Sequence, residues 1–206
     1  KGECFQRRDK ESVPTAAEKI LNDRQEVSSK GYDREFVDAA KISDLDLELI
    51  SKVSAGIIKN ISPEKFLQYL DLAEFNGERL ALRKAALLLF AKNPIKWHPR
   101  QQVRILKVRG TSEKSGDDYN ITEIGEVVGN IFELIEKSWE ILRPNLTETR
   151  FTDALFKTQI IYPEYACKEA LINAITHRDY SNEGRGIEIK IYDDRLTFSN
   201  PGQLLD

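Results

Sequence analysis

Apolar residues fall at helical spacing through the middle of the chain. Ser43-Asp44-Leu45-Asp46 is a helix-start signal ahead of Leu47, Leu49, Ile50 and Val53, and Ser62-Pro63-Glu64 puts proline at a first helical position before Phe66, Leu67 and Leu70. Asn76-Gly77 marks a turn, Leu82 to Ala91 forms an apolar helix, and Asn93-Pro94 stops it. The pattern predicts a compact helical cluster over 43–92, large enough to hold a winged-helix or helix-turn-helix element. Before it, Lys1 to Lys10 has the character of a strand end. Val13-Pro14-Thr15, with Thr15 as N-cap and Glu18 three residues on, predicts a helix running to about Val27.

Further along, Gln101 to Arg109 alternates imperfectly and predicts a strand, followed by a Gly/Ser/Asp-rich loop or hairpin tip from Gly110 to Asp118. Ile124, Val127, Val128, Ile131, Leu134, Ile135, Trp139 and Leu142 recur with a helical period, so a helix is expected over Glu126 to Leu142, ended by Arg143-Pro144. From Tyr162 the pattern changes. It predicts a helix from Pro163 to about His177, a turn rich in Asn and Gly, and two strands, Gly186 to Tyr192 and Arg195 to Ser199. The fold class expected is α+β, a helical connector with short strands leading into a second α+β unit.

Composition narrows the function. The 206 residues carry 31 Lys plus Arg against 34 Asp plus Glu, a net charge of -3, so any basic nucleic-acid footprint must be local. The longest apolar run, Ala85 to Ala91, is far shorter than the ~18 residues of a membrane span. A cytoplasmic protein without a membrane partner is expected. The two cysteines, Cys4 and Cys167, lie far apart, and with two histidines they suggest neither a disulfide framework nor a zinc site. Any metal should be magnesium. The absence of methionine, even at position 1, points to a piece of a longer chain.

The helix after Tyr162 carries the candidate chemistry. Ala166, Cys167, Ala170, Leu171, Ala174 and Ile175 make one close-packing side, while Glu169, Asn173 and His177 stand at i, i+4 and i+8 on the other, within ~80° around the axis. An amide oxygen is a hard ligand suited to magnesium, and a nearby carboxylate can orient or deprotonate a water. The same spacing also fits an ordinary solvated helix face.

Over Tyr162 to Leu204 the chain resembles the ATPase-like domain, of the GHKL class, of RecG-related proteins described as ATP-dependent DNA helicases or transcriptional regulators. In these the domain follows an Alba-type, Schlafen-like DNA-binding domain. The matching motifs are EALINAITHRDY, beginning at Glu169, and Ser199-Asn200-Pro201-Gly202. The resemblance implies that Glu169 activates water, that Asn173 binds magnesium, and that His177, Asn200 and Gly202 belong to an ATP site. Asn200 stands where the broader class has aspartate facing the adenine amine. Its amide oxygen can still accept from that amine, but its nitrogen cannot accept at all.

Three segments follow from the resemblance: 1–20 as the end of the Alba-type domain, 21–160 as a mostly helical connector, and 161–206 as the start of a GHKL-type α/β sandwich. It implies further that most of the Alba-type domain precedes Lys1 and that the glycine-rich phosphate lid follows Asp206. The function implied is that of a DNA-associated transcriptional regulator with an Mg-ATP-binding domain, possessing ATPase activity if Glu169 acts as a base. The alternative is a non-catalytic binding or dimerisation module, in which the ATPase-like fold is only scaffold. A helicase motor is disfavoured because no GxxxxGK[ST] loop occurs in the sequence. A kinase reading of His177-Arg178-Asp179 fails because position 184 is glycine where an asparagine is needed.

One segment has a local claim on DNA. Between Lys92 and Gly110 there are Lys96, Arg100, Arg104, Lys107 and Arg109 with no acidic residue, and Trp97 and His98 as stacking surfaces. A solvated strand edge protected by charge has an equal claim on the same residues.

Overall fold

The computed structural model describes residues 5–8, 11–14, 31–152, 155–160 and 162–202. The fold is α+β. Strands β1 (Phe5–Arg8) and β2 (Glu11–Pro14) form an antiparallel hairpin, with Val13 and Pro14 at the end of its second strand. The helix expected from Thr15 to Val27 lies outside the described residues.

A first core gathers around three short helices and a hairpin. Helix α1 (Leu47–Ala55) starts at Asp46, whose carboxylate accepts from the Glu48 and Leu49 amides at 3.0 Å, satisfying two orphan donors of the first turn. Helix α2 (Pro63–Tyr69) is capped by Ser62 and carries proline in its first turn. Strands β3 (Ala73–Asn76) and β4 (Arg79–Leu82) turn through Gly77, whose φ of 63° suits a residue without Cβ. Helix α3 (Lys84–Phe90) follows at once. Ile50, Phe66, Leu67, Leu82, Leu87 and Phe90 are all buried together. The expected helical cluster therefore forms with a hairpin inside it, and its last helix begins at Lys84 rather than Leu82.

The second core is built on a mixed sheet of order β10-β9-β5-β6. Strand β5 (Gln102–Val108) pairs antiparallel with β6 (Ile121–Val128). Asn130 then caps helix α4 (Ile131–Leu142), accepting from the Glu133 amide while Glu133 reaches back to the Asn130 amide. The helix expected from Glu126 thus starts five residues later, and Glu126 to Val128 belong to a strand. Strands β7 (Thr147–Thr152) and β8 (Leu155–Ile160) form a hairpin of their own before helix α5 (Glu164–Thr176). Strand β9 (Ile187–Ile191) joins β5 in parallel, and β10 (Leu196–Ser199) closes that edge of the sheet antiparallel to β9.

This pairing spans the boundary between 160 and 161. Val103, Ile105, Leu134 and Leu142 from one side of that boundary share a single core with Leu171, Ile175, Ile187 and Ile189 from the other. Residues 102–146 and 162–199 are one two-layer unit, with α4 and α5 on one face of the sheet. The opposite face carries Arg104 and Glu188, paired across β5 and β9, and Ser199, paired with Glu188. The two cores meet where Phe90 packs on Phe132, ring centroids 5.7 Å apart.

Candidate functional site

Helix α5 buries Cys167, Leu171, Ala174 and Ile175, the small and branched side that its sequence predicts, although Ala166 is exposed. Glu169, Asn173 and His177 emerge on the solvent side. None of their side chains is hydrogen-bonded to another described residue, so a carboxylate, an amide and an imidazole are free to meet a ligand.

The end of β10 is tied to the last turn of this helix. Asn200 Nδ2 donates to the Ala174 carbonyl at 2.9 Å, and the Asp179 amide donates to the Pro201 carbonyl at 2.7 Å. A Cβ on Gly202 would stand 2.5 Å from the His177 carbonyl oxygen, so only glycine lets the chain approach the helix end this closely. Asn173, His177, Asn200 and Gly202, separated by up to 29 positions in the sequence, are thereby gathered at one helix terminus, with Glu169 one turn back. The Asn200 bond also settles its orientation. Its nitrogen is committed to Ala174, leaving Oδ1 as its free polar atom, an acceptor for an amine.

The residues after the helix build the frame. Arg178 is only 5% exposed, and its Nη2 donates to the carbonyls of Asn182 at 3.0 Å and Arg185 at 2.9 Å. Its guanidinium lies 4.7 Å from the Tyr180 ring centroid. Burial lowers its pKa from the ordinary arginine value. Asp179 accepts from the Ser181 amide and hydroxyl, and Tyr180 Oη donates to the Ile175 carbonyl at 2.9 Å. Burial pushes the Tyr180 phenol up to about 12. The Arg-Asp-Tyr part of the motif is therefore a clasp on the following loop.

Magnesium and ATP can be tested against these groups. Among the described residues no cluster of three His, Cys, Asp or Glu could hold a metal ion. What the helix offers is one exposed amide with a carboxylate one turn away, which suits a magnesium ion that takes its remaining ligands from water and phosphate. Asn173 would hold the metal and Asn200 Oδ1 would meet an adenine amine. The residues fit the group.

The basic set does not come together as one stripe. Arg104 and Lys107, three apart on β5, point to opposite faces of the sheet. Arg104 is held by Glu123 at 2.7 Å and Glu188 at 3.3 Å, and the hydrogen bond it donates to Glu123 raises its pKa. Lys96 pairs with Asp44 at 3.4 Å and lies over the Trp97 ring. Arg100, Lys107 and Arg109 are exposed without an acidic partner among the described residues. His98 is not a stacking surface: it is 1% exposed, bonded to Tyr32 Oη and the Lys84 carbonyl, with its ring 6.4 Å from that of Tyr180. The sequence contains one basic residue that this segment alone does not reveal, Arg185, which lies beside Arg100 and Arg104 because β9 pairs with β5.

No family model and no curated protein matches the chain. In structure it is similar to the DIP2311 protein from Corynebacterium diphtheriae, known from a crystal structure, with 17% sequence identity and a TM-score of 0.55. The match covers 98% of this chain and 39% of that one, and at this identity it shows a shared fold alone. Among the described residues no helix is long and apolar enough to cross a membrane.

Proposed function

We propose that helix α5 and the end of β10 form the base of an Mg-ATP-binding site of GHKL type, within a cytoplasmic, DNA-associated transcriptional regulator. The observation that carries this reading is the joining of the two motifs: Asn200 and Gly202 are locked against the very turn that presents Asn173 and His177. Bound magnesium would supply charge neutralisation at the phosphates. Asn173 holds that ion through its amide oxygen, Asn200 Oδ1 accepts from the base, and Glu169 orients a water and accepts its proton. Lys107 and Arg109, exposed and without an acidic partner among the described residues, supply the DNA-facing charge with Lys96 at the periphery, and the protein acts as a homo-oligomer.

A second reading has one observation in its favour. The Asn200 amide is occupied in holding β10 to α5, as it would be if the fold served only as a scaffold for binding or dimerisation. Thermal unfolding of the chain with Mg and a non-hydrolysable ATP analogue separates the two. A ligand at about 100 times its Kd adds about 2.7 kcal/mol to stability. An Mg-dependent rise lost in Asn173→Ala supports the nucleotide site. Glu169→Gln should then keep the rise and abolish hydrolysis. No rise leaves the scaffold.

A further inference from the structure

The face of the sheet turned away from α4 and α5 holds a cleft of about 370 Å³ at the starts of β5 and β9. Arg100, Arg104 and Arg185 line it, with Gly186 and, from the end of β10, Ser199 and Asn200, whose side chain also reaches α5. Three guanidiniums face one carboxylate there, Glu188, and that carboxylate is already engaged by Arg104 at 3.3 Å and Lys190 at 3.7 Å. Arg104 is neutralised further by Glu123. Arg100 and Arg185 have no acidic partner among the described residues, so the cleft keeps an uncompensated positive charge.

The cleft is braced from beneath. Arg178 draws the carbonyls of Asn182 and Arg185 inward, which fixes the loop that carries Arg185. Gly186 sits so close to the 100–102 segment that a Cβ there would lie 3.1 Å from Gln102 Cγ and 3.6 Å from the Arg100 carbonyl oxygen. Arg100 itself adopts a φ of 67°, uncommon for a residue with a side chain. Two backbone segments more than 80 positions apart are thus held in contact with an arginine on each.

We propose that this cleft binds the phosphate group of a small phosphorylated ligand, on the opposite side of the β10 end from α5, with Asn200 on the border it shares with the nucleotide site. Guanidinium matches phosphate through paired, charge-assisted hydrogen bonds, and two unpaired arginines on opposed segments can grip one phosphate from both sides. A concave pocket favours a compact ligand over the extended strip that a nucleic-acid backbone requires. Because the charge comes from arginine, binding needs no metal.

Pyrophosphate titrated calorimetrically into the 206-residue chain, in EDTA, tests this. One equivalent is expected to bind, with affinity falling about tenfold or more in each of Arg100→Gln and Arg185→Gln and unchanged in Arg109→Gln, an exposed residue outside the cleft. AMP binding in competition with pyrophosphate would identify a nucleotide as the source of the phosphate, and failure of AMP to compete would favour a phosphorylated ligand of other kind. Absence of binding at millimolar pyrophosphate overturns the proposal, as does equal weakening by Arg109→Gln. Binding of single-stranded DNA that depends on Arg100 and Arg185, without pyrophosphate binding, overturns it in favour of a nucleic-acid surface. The metal-free readout keeps the two readings apart: Asn173→Ala, outside the cleft lining, leaves pyrophosphate binding in EDTA intact even where it abolishes the Mg-dependent ATP response.

Discussion

The side-chain amide of Asn200 donates to the main-chain carbonyl of Ala174 at 2.9 Å, pinning the end of the sheet's edge strand to the last turn of α5. An aspartate here has no hydrogen to give and would set one oxygen against another. Asn200→Asp should therefore lower stability by about 1 to 3 kcal/mol at neutral pH. Urea denaturation reads this directly, and an unchanged midpoint would mean that the bond contributes nothing. The loss should shrink at a pH low enough to protonate the new carboxyl, which restores a donor.

A second expectation concerns His98. Burial holds its pKa down at about 4 against an ordinary 6.5, where it faces Tyr32, Lys84, Tyr180 and Arg178 and is kept neutral. The unfolded chain takes up a proton on this histidine as pH falls below about 6.5, whereas the folded chain does so only near 4. The stability that neutral His98 allows is therefore complete above about 6.5 and is lost progressively between 6.5 and 4, by an amount of order 3 kcal/mol. His98→Gln should remove that part of the slope. Parallel pH profiles of denaturation for the two proteins check it, and identical slopes would show that His98 titrates normally.

Much of this frame is legible in the residues themselves. Asp46, Ser62 and Pro63 announce their helices, and the small, branched side of α5 predicts what is buried. Local chemistry suffices there because caps and periodicity act within one or two turns. Strand β6 is harder to read: Ile124, Val127 and Val128 match a helical period, yet they are β-branched, Val127 and Val128 pair with β5, and Ile124 falls where the register shifts opposite Ile105/Leu106. The capping box of Asn130 and Glu133 was the signal that could have placed the start of α4. The arginine cleft had no such signal. It depends on a parallel pairing between strands 84 positions apart at Val103 and Ile187, and His98 likewise shows its burial only once Tyr32 and Tyr180 close over it.

The last expectation concerns Arg178, whose guanidinium is buried with Nε and Nη1 unpartnered among the described residues while Nη2 serves two carbonyls. A buried cation with spare donors is costly, so its retention has to be offset by what it holds, the carbonyls of Asn182 and Arg185 in the turn that follows. Arg178→Lys keeps the charge but replaces a planar fork with a compact ammonium on a different reach, which cannot reproduce the geometry of the two bonds. A loss of about 2 to 3 kcal/mol is expected on denaturation. The loop should also open locally, so trypsin should cleave after Arg185 faster than in the parent chain at equal global stability, adjusted with denaturant. Normal stability with normal cleavage would show that the two carbonyls are satisfied without the guanidinium, and the clasp would then have to be sought in the Asp179 bond to Pro201 instead.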